Sequence, residues 1–238
     1  MTTVLLVRHG RTASNASGTL AGRSPGVGLD EKGIDQAARA AERIAALRLD
    51  AIVSSPLERT VETAEAILAG QSGAPGGRRS ARKASQIHLD DRFIECDYGA
   101  WTGEELKRLS REPLWKVVQT HPSAAVFPEG EAMAQMQARA VAGIRAWNAR
   151  VGERGIYAVV SHGDVIKSIL ADALGMHLDQ FQRIQVDPGS VSVVTYTDTR
   201  PFVMRSNDTG GDLSGLTPRP GRQRRSPDAP VGGGAGTP

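Results

Sequence analysis

Arg8-His9-Gly10 follows a four-residue apolar run, Val4-Leu5-Leu6-Val7, and Ser161-His162-Gly163 follows Ile156-Tyr157-Ala158-Val159-Val160. So short a continuously apolar run reads as a strand covered on both faces. A glycine just beyond it lets the chain turn sharply and bring backbone close to a ligand. Each histidine therefore falls at the carboxyl end of a strand, where open α/β sheets bind ligands. One such strand end is ordinary; two suggest a pair of imidazoles in one pocket. A third polar cluster, Ser54-Ser55-Pro56-Leu57-Glu58-Arg59, closes the run Ala51-Ile52-Val53. Arg59 lies one turn into the helix that follows. Arg8, Arg59, His9 and His162 around helix amino-termini make an electropositive cup. Helix dipoles and backbone N–H groups there favour a dianion, and guanidinium forks match phosphate oxygens. A metal hydrolase using His9 and His162 as ligands is the competing chemistry, but it lacks clustered carboxylates and a third ligand.

The elements that must hold this cup are legible in outline. Asp30 reads as an N-cap ahead of Ile34, Ala37, Ala38, Ala41, Ile44 and Ala45 at helical spacing. Ser55-Pro56-Leu57-Glu58 reads as a capping box with proline at the first helical position, opening a helix to about Leu68. Ile87–Leu89 reads as a short strand, and Gly103 to about Gln119 as helical, interrupted at Pro113. Met133, Met136, Ala140, Ile144 and Trp147 space a long helix with a core stripe. Val165, Ile166, Ile169, Leu170, Ala173 and Leu174 space another, stopped by Gly175. Val191–Tyr196 and Phe202–Arg205 read as closing strands. Strands alternating with helices predict an α/β fold, a three-layer α/β/α sandwich with a mostly parallel sheet and helices on both faces. There is no internal repeat.

At 238 residues the chain fits one α/β domain. We expect a single catalytic domain over 1–206, with an exposed, flexible basic insertion at 70–86, a substrate cap at 95–130 and a disordered tail at 207–238. Glycine and proline supply 13 of the 32 tail residues, with almost no apolar anchors. The formal charge is +3. The insertion carries +4 and the tail +1, which leaves the remainder slightly acidic. No basic face is evident, so no nucleic-acid partner is expected. The lone cysteine, Cys96, excludes an internal disulfide framework and reads as a small buried residue. The apolar start is too short for a secretory signal and lacks a basic lead. No stretch reaches the length of a membrane span. We therefore expect a cytoplasmic protein with no membrane partner.

The chain resembles the histidine phosphatase superfamily, the phosphoglycerate-mutase-like clan, over roughly Met1 to Tyr196 without the insertion. Arg8, His9, Gly10, Thr12 and Asn15 match its opening motif, and Ser54 to Ala64 its second. Glu95, Gly99, Trp101 and Gly103 match the third, and Ser161-His162-Gly163 the last. The resemblance implies a phosphoglycerate-mutase-like fold and a metal-independent phosphomonoesterase acting on a small phosphorylated metabolite. His9 would be the nucleophile, forming a phosphohistidine. Arg8, Arg59 and His162 would neutralise the transferring phosphoryl group, and Glu95 would serve as general acid and then base. Thr12, Asn15, Gly22 and the Gly163 N–H would complete substrate binding. No cofactor and no metal are implied, and a homodimer is left open. A phosphomutase of the phosphoglycerate mutase type is the alternative. It is disfavoured because Lys107-Arg108-Leu109-Ser110-Arg111 stands where mutases carry Arg-Arg-x-Tyr-Asp, and Arg11 where they carry Glu. A non-catalytic binder of phosphorylated ligands is more remote. Trp101, Trp115, Phe127 and some arginines are the candidate substrate contacts of the cap. His88, His121 and His177 match no motif and read as structural or surface residues.

Overall fold

The computed structural model describes residues 1–71, 84, 86–211 and 231–234. Its centre is a six-stranded sheet of β1 (Thr2–Arg8), β2 (Ala51–Ser54), β3 (Ile87–Leu89), β4 (Ile156–Ser161), β5 (Val191–Tyr196) and β6 (Pro201–Asp208), in the order β3-β2-β4-β1-β5-β6. β1 to β4 run parallel, and β5 is antiparallel to both β1 and β6. This is the expected α/β sandwich with a mixed sheet.

The helices are α1 (Ala13–Ser17), α2 (Glu31–Ile44), α3 (Glu58–Gln71), α4 (Leu106–Leu109), α5 (Pro113–Thr120), α6 (Met133–Val151) and α7 (Gly163–Ala173). The strands alternate between the sheet's two faces, as the twofold side-chain period of a strand requires. Leu5, Val7, Ile52, Ala158 and Val160 pack with Ala40, Ile44, Ala64 and Ile67 of α2 and α3. Val4, Leu6, Val53, Tyr157 and Val159 pack with α6 and α7 on the other side. The Met133, Met136 and Trp147 stripe is buried there, as is Cys96.

Local chemistry sets the element ends. The Asp30 side chain accepts from the Gly33 N–H at 2.8 Å and caps α2. The inward face of α2 is turned from the one expected: Gly33, Ala37, Ala40, Ala41 and Ile44 are buried, while Ile34 is 57% exposed. Gly33 and Gly10 explain the turn. A Cβ on Gly10 would overlap the Gly33 backbone in the first turn of α2, and a Cβ on Gly33 would overlap the Arg11 backbone after β1. Ser55-Pro56 does not open α3, which starts at Glu58. The region after Gly103 forms two short helices broken before Pro113, as the proline demands.

Two expected boundaries shift. α3 continues to Gln71, whose buried amide oxygen accepts from the Leu49 N–H at 3.0 Å. Ala84 is also buried, its N–H bonded to the Leu49 carbonyl. Most of the expected flexible insertion, 72–83 and 85, lies outside the described residues. The tail expected from 207 begins inside β6, and Val231–Gly234 returns to the protein body, with Val231 only 1% exposed. Composition underrated that one valine as an anchor. Residues 212–230 and 235–238 lie outside the described residues. Among the described residues no helix is long and apolar enough to cross a membrane.

Candidate active site

The order β2-β4-β1 brings three polar strand ends side by side. Parallel register pairs Arg8 with Ser161 and Ser54 with Val160, so the residues one step on converge at one edge. His9 and His162 meet there with ring centroids 5.2 Å apart and planes at 61°. His9 and His162, 153 positions apart in the sequence, are made adjacent by one strand pairing.

His9 Nδ1 lies 2.7 Å from the Gly10 carbonyl. A carbonyl can only accept, so Nδ1 carries the proton and Nε2 presents a lone pair. Burial holds the His9 pKa well below the usual histidine range, and the Arg59 and Arg8 guanidiniums push the same way. The imidazole is therefore neutral near neutral pH. Burial likewise lowers His162, with Arg59, His9 and Arg8 adding to it. The His162 Nε2 is 2.8 Å from Ser55 Oγ, and its Nδ1 is 3.9 Å from Glu95 Oε2. Ser55, read from sequence as a helix cap, is thus a partner of the histidine. Its place in the Ser-Ser-Pro cluster was visible, but its direction was not.

Arg59 reaches the cup from the first turn of α3 and donates to the Gly22 carbonyl at 2.7 Å. Gly22 holds a positive φ of 52°, and a Cβ there would crowd Thr102 Oγ1, which explains glycine at this position. Arg8 is fully buried, and burial lowers its pKa to about 10. Its Nη1 donates to the Val186 carbonyl at 2.8 Å. Its Nη2 donates to the carbonyls of Gly232 and Gly234 at 3.2 and 2.6 Å.

Glu95 is 4% exposed and accepts the Cys96 N–H at 2.9 Å. Burial pushes its pKa up to about 7, the Asp164 charge adds to the rise, and Arg59 opposes it. Glu131 organises the support beneath. It accepts from Arg23 Nη2 at 3.0 Å, Arg139 Nη2 at 2.6 Å and the Asp97 N–H at 2.9 Å. Arg23 and Arg139 both also donate to the Glu95 carbonyl, at 2.9 and 3.1 Å. Neither Glu131 nor these arginines stood out in the sequence, because a salt-bridged carboxylate looks like any surface acid there.

The open part of the cup is lined by His9, Thr12, Asn15, Gly22, Arg59 and Glu95 of the expected residues, joined by Leu20, Leu106 and the C-terminal segment. Arg8, His162 and Gly163 lie behind this lining, at the roots of the same strand ends. Thr12 and Asn15 also bind each other: the Asn15 N–H donates to Thr12 Oγ1, and the Thr12 N–H to Asn15 Oδ1. That capping box makes α1. Trp101, Trp115 and Phe127 do not line the cup. Trp101 stacks on Trp115 at 6.2 Å and meets Phe127 edge-on at 5.3 Å, a core cluster under the cap. His88 packs against Trp147, away from the cup.

The fold and this cup define an α/β protein that gathers an imidazole lone pair, two guanidiniums and a buried carboxyl group, its pKa raised by burial, at one sheet edge. The family model of the histidine phosphatase superfamily, branch 1, matches residues 4–209, and the chain belongs to that superfamily. It is 30% identical to a protein named probable phosphoglycerate mutase GpmB from Proteus mirabilis, over 91% of this chain and 96% of that one. It is equally 30% identical to phosphoserine phosphatase 1 of Hydrogenobacter thermophilus, over 88% of this chain and 93% of that one. Among solved structures it is similar to Bacillus stearothermophilus YhfR, with a TM-score of 0.75 and 26% identity, covering 87% of this chain and 98% of that one.

Proposed function

We propose that the chain is a phosphomonoesterase that works through a phosphohistidine on a small phosphorylated metabolite. The observation that carries this is the pairing of a neutral His9, its Nε2 lone pair open, with a buried Glu95 whose carboxyl stays protonated up to about pH 7. His9 Nε2 attacks phosphorus and the P–O bond to the substrate breaks. Glu95 gives its proton to the departing alkoxide oxygen. Water then attacks the phosphohistidine, Glu95 takes the water's proton, and inorganic phosphate leaves with His9 restored. This splits one hard displacement into two. Arg59, Arg8 and His162 face the charge that develops on the phosphoryl oxygens, where electrostatic stabilisation contributes most. The two guanidiniums supply the positive charge that a metal supplies in other phosphatases, and His162, whose pKa burial lowers, stands beside them as a hydrogen-bonding ring.

The phosphatase reading is supported over the mutase reading by the stretch that would clamp a second acidic group. Lys107, Arg108 and Arg111 are exposed, and Arg108 pairs with Glu104 at 2.8 Å. Arg11 turns from the cup to Asp30, also at 2.8 Å. The relatives named as phosphoglycerate mutases favour the other reading. A phosphate-release screen over phosphosugars, phosphoamino acids, phosphoglycerates and nucleotides, run in chelator, tests both. Phosphate release without interconversion of phosphoglycerates supports the phosphatase; interconversion without release establishes the mutase. Activity lost in chelator and restored by a divalent ion would overturn the metal-independent scheme.

A further inference from the structure

The phosphate cup already has a ligand within this chain. Val231 is buried in the core cluster that contains Leu20, Tyr98 and Ile166, and it anchors a glycine-rich segment at the cup's wall. The Gly232 N–H donates to Asp164 Oδ2 at 2.9 Å, the carboxylate oxygen that also accepts the Tyr98 hydroxyl at 2.8 Å. The Gly232 and Gly234 carbonyls each accept a bond from Arg8 Nη2. Gly232 and Gly234 hold φ of 73° and 56°, and a Cβ on Gly232 would meet Leu20 Cδ1 at 3.1 Å. Only glycine meets both demands without strain.

We propose that Val231–Gly234 is an intramolecular competitor for the phosphate cup and is displaced by a phosphorylated substrate. This rests on the reading of the cup as a phosphate site, which makes Arg8 a phosphate ligand. Two carbonyl oxygens now occupy the guanidinium edge that phosphoryl oxygens would use, and the two sets of acceptors cannot share it. Position gives the second argument. Val231, Gly232 and Gly234 line the same cup as His9, Thr12, Asn15, Arg59 and Glu95, so the docked segment stands where a phosphoryl group would enter. The segment therefore taxes substrate affinity in proportion to how fully it docks: docking about nine-tenths of the time weakens apparent binding about tenfold.

Hydrogen exchange on the unmodified chain tests this without a variant. Saturating inorganic phosphate or vanadate should speed exchange of the Gly232 amide, because displacement frees it from Asp164. Slower exchange would show that the segment closes over the anion, and unchanged exchange that it ignores the anion; either overturns the proposal. Two variants give a second readout, a chain ending at Gly211 and Val231→Asp. Both should lower KM for p-nitrophenyl phosphate and the inhibition constant of inorganic phosphate together, severalfold, with kcat little changed. A synthetic peptide spanning 228–238 should then inhibit the shortened chain competitively. Unchanged or raised constants in both variants, or a peptide without effect, would overturn the proposal. A chain that turns over no phosphomonoester, yet shows phosphate-driven release of Gly232, would refute the proposed reaction and leave this inference standing.

Discussion

His9 and His162 lie with ring centroids 5.2 Å apart because β1 and β4 pair in parallel with Arg8 opposite Ser161. Each ring is then held by a different neighbour, His9 by the Gly10 carbonyl and His162 by Ser55 Oγ. The first ring offers a lone pair to the cup. The second keeps its Nδ1 toward Glu95.

His9→Ala should abolish phosphate release while leaving the thermal unfolding midpoint within a few degrees, because the ring faces a pocket and not the packed core. Turnover within tenfold of the unmodified chain would refute the nucleophile assignment. Rapid quench with labelled phosphosubstrate should show acid-labile, alkali-stable label that the variant lacks.

Glu95→Gln should slow release of an alkyl alcohol far more than release of p-nitrophenol. An aryl oxide leaves without a proton and an alkoxide does not, so the difference should be on the order of tenfold to a hundredfold. The pH profile supplies an independent check. In the proposed scheme the acid form of Glu95 is the donor, and burial pushes its pKa up to about 7. The rate for alkyl substrates should therefore fall with rising pH above about 7, and this limb should vanish in Glu95→Gln. Equal slowing of both substrates would make Glu95 a water-positioning group.

Ser55→Ala removes the 2.8 Å hydrogen bond to a buried ring and, besides it, only a long 3.5 Å bond from the Leu57 N–H ahead of α3, which begins at Glu58. One such bond is worth about 1 kcal/mol, roughly fivefold in rate. We expect kcat to fall by about that factor with KM little changed. If Ser55 were only a helix cap, the loss would appear in thermal stability and not in kcat.

Glu131→Gln should lower kcat for alkyl substrates more than it raises KM. It weakens the hold on Arg23 and Arg139, which both fix the Glu95 carbonyl. Charged hydrogen bonds of this kind contribute about 1.5–3 kcal/mol, so the loss should exceed that of Ser55→Ala. A steady-state comparison of alkyl and aryl substrates separates the two cases: equal loss on both would mean the clamp supports the fold and not the acid.

Gly10→Ala should destabilise the protein, because the added Cβ would overlap the Gly33 backbone where strand and helix cross. Overpacking of this kind costs about 1–3 kcal/mol, or a drop of several degrees in unfolding midpoint for a domain of this size. Calorimetry showing an unchanged midpoint would mean that α2 shifts freely.

What the sequence determined by itself was local. Short apolar runs ending in Arg8-His9 and Ser161-His162 specify buried strands with polar tips, because only burial on both faces tolerates unbroken hydrophobicity. Motif order was enough to indicate the superfamily and to single out Glu95. Side-chain direction was decided by tertiary structure. Ser55 could cap its own helix or turn to His162, and only the insertion of β4 beside β2 brings the ring within reach. Trp101 and Phe127 could have faced substrate, but the cap folds them inward against Trp115 and Tyr98. The final case is Val231. A single valine among glycines and prolines carries too little apolar surface to predict order. It becomes ordered because Asp164 accepts the Gly232 N–H and Arg8 donates to the Gly232 and Gly234 carbonyls, with Tyr98, from a third part of the chain, holding the Asp164 carboxylate.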